Sequence, residues 1–393
     1  MDFDKIINRL GTNSYKWDGL EKRLNKKGLL PLWVADMDWE TPHFIKDAIL
    51  QQIQNTPAMG YTIDPDEYWP TVAQWTREHH AWDVQSEWLT YIPGIVKGIG
   101  LAISCLTERN EKVIVQPPVY HPFFLTAQGL GREVVWNPLR PIRDDEGRLT
   151  GYEMDFDNLA AVCDDKCRIL ILANPHNPCG ITWSRETLMR LATFAHEHKL
   201  IVISDEIHCD LALFGHRHTP FASVSQEAAD LSITFAAPTK TFNMAGIVSS
   251  WAVVPNETLR NRFYSWLSAM ELNEPHMFAP VATIAAFRYG EPWRKELVAY
   301  LEQNIDYVIE FCRDHIPAIR PIRPQASYLV WLDCTQLGLT QEALVQLFEQ
   351  KAGLLLNEGS MFGKEGEGFM RLNVGCPRAT LTQALTQLEK AIG

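Results

Sequence analysis

A chain of 393 residues, 46% hydrophobic and 21% charged, carries enough apolar text for a large core divided over two or three structural units. Its net charge of −12 repels phosphate backbones and anionic lipid, which argues against nucleic-acid and membrane-surface partners but leaves room for a local basic pocket. No apolar run approaches the ~20 residues of a membrane span, MDFDKIINRL does not read as a secretion signal, and the eight cysteines form no CxxC pair; a reduced, cytoplasmic protein is expected.

In chain order, the first 45 residues are irregular and aromatic and are assigned to the smaller of two domains. Residues 46–285 are assigned to a large domain and 286–393 to a small C-terminal α/β domain. The aromatic stretch Tyr61–Trp69, with Tyr68 inside it, has two readings: a wall of a substrate pocket, or packing in a core or interface. Gly94 opens GIVKGIG after a proline, a tight turn into a helix whose free N–H groups suit an anion; Gly98 and Gly100 can instead serve close helix packing. Strands are expected at Val113–Gln116, Glu133–Trp136, Arg168–Ala173, Leu200–Ser204 and Ser232–Ala236, apolar on both faces as in a parallel sheet covered by helices. Ser184 is placed to cap a helix running to about His198, with Leu188, Leu191, Ala192 and Ala195 on one face. Beyond residue 286 a long helix is expected over Glu291–His315. Strand-like Tyr328–Asp333, a helix near Gln341–Lys351, strands at Leu354–Leu356 and Phe369–Val374, and a closing helix from Ala379 follow. Histidine spacing matches no metal motif, His196 and His198 read as a solvated helix end, and no metal centre is expected.

Four strands run into polar or Gly/Pro-rich text: PPVYHPF, NPHNPCG, DEIH and PTKTFNMAG. In open α/β sheets ligands bind beyond the carboxyl ends of the strands, so four such endings at one edge make a site. Asp205 is either a strand-end acid in a salt bridge or a carboxylate partner for a cationic ring nitrogen. Lys240 is either a solvated charge or an imine-forming amine. Tyr120 and Asn177 can be loop residues alone. Arg371, inside apolar FMRLNVG, needs an anion, either a structural acid or a substrate carboxylate gripped in bidentate fashion.

Taken in order, PGIVKG, PPVY, NPHNPCG, SDEIH, TKTFNMAG and GFMRLNVGCPR resemble the fold-type I pyridoxal-phosphate enzymes, the aspartate-aminotransferase-like superfamily, from about residue 27 onward. PLWVADMDW, GYT at Gly60–Thr62 and RLNVGCPR are similar to the MalY/PatB subgroup of C–S lyases that act on cystathionine and other cysteine S-conjugates. The resemblance implies a large domain with a mainly parallel seven-stranded sheet, a smaller C-terminal domain, and pyridoxal 5′-phosphate held by Lys240 as a Schiff base. It implies Asp205 on the pyridine nitrogen, Asn177 and His208 near the ring oxygen, and Tyr120 on the ring face. Gly94, Ile95, Val96 and Thr239 would hold the phosphate, Tyr61 would reach it from the other subunit of a homodimer, and Arg371 would bind the substrate carboxylate. Many relatives place a serine and an arginine where this chain has Ala237 and Val248, which thins the implied phosphate grip. Aminotransferase chemistry is the alternative reading, because the same residues serve both outcomes.

Overall fold

The computed structural model describes residues 2–393. Its main sheet has seven strands: β1 (Leu89–Ile92), β2 (Lys112–Val115), β3 (Glu133–Trp136), β4 (Cys167–Ala173), β5 (Ile201–Asp205), β6 (Ser232–Ala236) and β7 (Ser250–Val253). They lie in the order β1–β7–β6–β5–β4–β2–β3, all parallel except β7, which is antiparallel to both neighbours. The five strands expected from apolar text fall within a residue of their places. The strands β1 (LTYI) and β7 (SWAV) had no such signal, being four residues long with polar interruptions.

Helices cover both faces. The helix α1 (Tyr68–His80) packs near β1, and α2 (Ile95–Leu106) lies across the sheet at Gly98, where a Cβ would come 2.6 Å from Ile92 Cδ1. That glycine is therefore a packing requirement, as one of its two readings held. The helix α3 (Arg185–Glu197) begins where Ser184 accepts from the Thr187 N–H, and it buries Leu188, Leu191, Ala192 and Ala195. Tyr68 is fully buried against Trp69, so the core reading wins over the pocket wall, while Tyr61 and Ile63 stand on the surface.

The C-terminal part contains α4 (Glu291–His315) and a four-stranded antiparallel sheet of β8 (Arg320–Ile322), β9 (Leu329–Asp333), β10 (Asn357–Glu358) and β11 (Phe369–Asn373), ordered β8–β9–β11–β10. The face of α4 buries Trp293, Leu297, Leu301, Ile305 and Val308, each contributing ~1.5–3 kcal/mol by removal from water. The helix expected over Gln341–Lys351 is α-helical to Gln346 and widens to a π turn after it. The irregular N-terminal stretch is tied to this region: Leu30–Pro31 pairs in parallel with Leu354–Leu355, and residues 32–38 continue as a strap beside β11. Asn373 N donates to Leu32 O at 3.0 Å and Asp38 N to Gly375 O at 2.8 Å. No helix among the described residues is long and apolar enough to cross a membrane.

Candidate active site

From β2 the chain moves outward to β3, whereas β4, β5 and β6 follow one another in the opposite direction. The order thus reverses between β2 and β4, and loops leaving those two strands diverge to open a crevice. A cavity of about 330 Å³ lies there, at the carboxyl ends of the strands. Gly94, Ile95, Val96, Tyr120, Asn177, Asp205, His208, Thr239 and Lys240 all line it. Arg371 reaches the same place from β11 by donating from Nη1 to Asn177 Oδ1 at 2.9 Å. Tyr61 does not; it is fully exposed on the surface.

Local structure explains each placement. Asp205 ends β5 in register with Ala173 and Phe235, so its side chain emerges at the strand tips between two neighbours. Lys240 sits within a turn in which Phe242 N bonds Pro238 O at 2.9 Å and Met244 N bonds Thr239 O at 3.1 Å. Gly94 adopts φ +111°, a region closed to most side chains, and hands the chain to α2 with the first-turn N–H groups facing the cavity end. In NPHNPCG, Gly180 has φ +67° and a Cβ there would stand 2.4 Å from Pro324 Cβ, which holds that loop against the segment leading to β9.

Burial dominates the electrostatics. It lowers the Lys240 amine to about 8; Arg371 acts in the same sense, while Asp36 and Asp205 oppose it. It raises the Asp205 carboxyl to about 7, against the Ile207 N–H at 3.1 Å and the charge of Lys240. It drops His208 to about 3, leaving a neutral imidazole whose buried Nδ1 has no partner. Arg371 is brought down to about 10 by burial, and the groups favouring its charge are the phenols of Tyr120 and Tyr328. Its Nη2 donates to Asn357 Oδ1 at 2.6 Å and Trp33 O at 3.2 Å, its guanidinium lies 4.8 Å over Phe362, and its Nε is unpartnered. None of these partners is a carboxylate. No structural acid therefore holds Arg371, whose guanidinium lies buried against neutral oxygens.

Several participants had no signal of their own. Lys240 Nζ donates to Ala35 O at 2.6 Å, and Tyr328 Oη donates to the same oxygen at 2.9 Å. The strap carrying Trp33 and Ala35 thus lays two carbonyls over the site. It is pinned by buried charges: Arg9 forks onto Asp36 at 2.9 and 2.8 Å and reaches Asp38 at 2.8 Å, while the fully buried Lys16 meets Asp38 at 2.7 Å. Trp17 Nε1 also donates to Asp38, at 2.8 Å. Asp38→Ala is expected to strip Lys16 of its nearest counter-charge, leaving it Asp36 at 3.9 Å, and to destabilise the protein by ~3 kcal/mol, the low end of the cost of breaking a buried pair. Chemical unfolding monitored by tryptophan fluorescence measures this, and a loss within experimental error would mean the network does not hold the strap. Lys97 and Ser250 line the cavity as well, next to the apolar Val248, and bring polar groups that the sequence reading did not single out.

Comparison with known proteins agrees with this geometry. Residues 28–388 match the model for aminotransferase class I and II. The chain is 40% identical over 393 residues to cystathionine beta-lyase PatB of Bacillus subtilis (strain 168), covering 100% of both chains. It is 30% identical to protein MalY of Escherichia coli (strain K12), covering 100% of this chain and 98% of that one. The crystal structure of the PLP-bound C–S lyase from Staphylococcus hominis superposes with a TM-score of 0.90 at 30% identity, covering 100% of this chain and 98% of the other. The sheet order, the crevice at its reversal and these likenesses lead to one conclusion: the chain belongs to the aminotransferase class I and II family.

Proposed function

We propose that the protein is a pyridoxal-phosphate-dependent C–S β-lyase that cleaves L-cystathionine or other cysteine S-conjugates to a thiol, pyruvate and ammonia, with consumption of water. The observation that carries the chemistry is the pair Lys240 and Asp205 lining one cavity: an amine lowered to about 8 and a carboxyl raised to about 7. The full-length likeness to PatB and MalY favours elimination over amino transfer.

The cavity fits the cofactor. Asp205 is a buried carboxylate lacking a close cation, His208 Nδ1 is orphaned, and α2 presents unused N–H groups behind Gly94. Pyridoxal phosphate supplies an aldehyde to which amines attach and a cationic ring that draws electron density from the substrate Cα. Asp205 would hold the proton on the ring nitrogen, and Tyr120, its phenol kept protonated by burial, offers an aromatic face. Asn177, whose Oδ1 already accepts from Arg371, keeps its amide hydrogens for the ring oxygen, and His208 lies beside it as a neutral donor–acceptor. Ile95 and Val96 N–H groups and the Thr239 hydroxyl would take the phosphate. Arg371 would bind the substrate carboxylate in bidentate fashion. Lys240 Nζ would take the Cα proton, and the departing sulfur leaves with a proton as thiol. The strap over Nζ keeps water from that step.

The deciding assay supplies purified enzyme with L-cystathionine and assays pyruvate, ammonia and homocysteine. Conversion of an amino acid only when a 2-oxo acid is added, without pyruvate release, would establish the aminotransferase instead.

Cofactor removal gives a pH-dependent result. The native Asp205 carboxyl at about 7, against 3.8 for the free group, holds its proton more tightly when folded, so its contribution to stability falls as pH rises from 3.8 to about 7. Native Lys240 at about 8, against 10.5, sheds its proton more readily when folded, so its contribution recovers as pH rises from about 8 to 10.5. Stripped protein therefore carries both penalties between about pH 7 and 8, and covalent attachment at Lys240 with a cation facing Asp205 removes both. The Tm gained on cofactor addition is expected to peak in that window; a gain that is flat with pH contradicts the assignment.

A homodimer with shared sites is part of the same reading. Met59, Tyr61 and Ile63 stand 64%, 108% and 92% exposed in one extended segment, an apolar edge suited to burial against a second copy. Tyr61 would then reach the phosphate in the other subunit, and Tyr61→Phe should weaken cofactor affinity by about 10-fold for one lost charge-assisted hydrogen bond. A monomer by sedimentation, or unchanged affinity, contradicts this. The domain limits 1–45 with 286–393, and 46–285, are proposed on the strap's pairing with the C-terminal sheet. Free thiols throughout the described residues support a reducing, cytoplasmic setting.

A further inference from the structure

A second cleft, of about 600 Å³, opens between the C-terminal end of α1 and the turns that follow β5. His80, Cys209 and Asp210 line it, and their ligand-capable atoms all lie within 4.8 Å of one another. Asp210 is held rigidly: its Oδ1 is 2.8 Å from His80 Nε2 and accepts from Trp75 Nε1 at 2.9 Å, while Oδ2 accepts from Thr241 Oγ1 at 3.3 Å. The nearest competing cation is already engaged, because Arg294 is forked onto Glu291 at 2.7 and 2.9 Å and touches only the Asp210 backbone carbonyl.

His218 supplies an independent observation. It lines the same cleft, its ring 5.2 Å from that of His80 and at 89° to it, and it is only 7% exposed. Its Nε2 sits 2.7 Å from Glu206 Oε2, and its buried Nδ1 has no partner. An imidazole donating Nε2–H to a carboxylate carries its lone pair on Nδ1, and a polar atom left unmet in a dry interior costs ~1–3 kcal/mol. A histidine backed by a carboxylate is also the usual way in which proteins orient and strengthen a metal-binding imidazole.

We propose that His80, Cys209 and Asp210, with His218 at the edge of the group, form a binding site for a thiophilic divalent cation of the zinc class. One sulfur, one ring nitrogen and one carboxylate oxygen, with the His218 imidazole alongside, form a borderline-soft donor set that favours Zn²⁺ or Co²⁺ over Mg²⁺ or Ca²⁺. Coordination replaces the thiol proton of Cys209, which passes to solvent, and turns His80 to the tautomer protonated at Nδ1, so that Nε2 faces the ion in place of its bond to Asp210. The chain gives no motif for this because His80 ends one helix while the other ligands come from turns far along the sequence.

Holoenzyme treated with chelator and dialysed is titrated with ZnCl₂ by calorimetry and with CoCl₂ by visible absorption. One ion per chain is expected, with the intense d–d bands of tetrahedral cobalt at wavelengths beyond those of the cofactor. Cys209→Ser, nearly isosteric, and His80→Gln are each expected to weaken binding by at least about 10-fold. Cys163→Ser, at a partly exposed thiol elsewhere, should leave it unchanged, and circular dichroism checks that each variant is folded. Absence of bound ion after dialysis, or equal affinity in the Cys209→Ser and His80→Gln variants, overturns the site.

Discussion

Replacing Lys240 by alanine is expected to remove the covalent cofactor and to lower C–S cleavage by at least about 10³-fold, the scale on which a positioned proton carrier acts. The argument rests on environment. Nζ donates to the Ala35 carbonyl at 2.6 Å, and burial lowers the amine to about 8, so a neutral nucleophile is accessible close to neutral pH. Lys97 also lines the cavity, but it is an exposed residue in the first turn of α2 and lacks the desolvation that activates an amine. Borohydride reduction followed by peptide mapping separates the two: the label is expected on the peptide containing Lys240. A variant that keeps its visible colour and its activity, or a label on Lys97, defeats the assignment.

Asp205→Asn gives an opposed pair of effects. Catalysis should fall by roughly 10²- to 10³-fold, about 3–4 kcal/mol of barrier, since a neutral amide cannot hold a positive ring nitrogen as a carboxylate does. The cofactor-free protein should at the same time gain thermal stability at pH 7.5, because the substitution removes a buried charge that the Ile207 N–H and Lys240 only partly compensate. Rate and apo Tm, measured on one preparation, are expected to move in opposite directions. A variant less stable than the parent in the absence of cofactor would mean that Asp205 is a structural acid, the other reading its sequence position allowed.

The site was legible where apolar strands run straight into polar text. Tyr120, Asn177, Asp205 and Lys240 each follow such a strand, and four parallel neighbours must discharge at one edge. What stayed hidden works through atoms that the residue type does not announce. The contribution of Ala35 is a backbone oxygen, and it meets a lysine 205 positions away. Tyr328 and Asn357 matter through one hydrogen bond each, and ordinary strand text surrounds them. The acids of ADMDW were visible, but their partners Arg9 and Lys16 sit in a stretch without regular structure and are identified only by folding. The strands β1 and β7 were missed for a related reason: they are buried by each other and by α2, with β6 on the far side of β7, not by an alternation of their own. Tyr61 faces solvent in a single chain, so its assigned role depends on a neighbour that one sequence does not contain.

The strap at residues 32–38 has a consequence for synthesis. It leaves the ribosome long before the strand it lies beside, Phe369–Asn373. Until that strand emerges, the reactive amine has no cover and Arg371 has not been made. A nascent chain can thus complete its parallel sheet before the strand that holds the strap over Lys240 has been made.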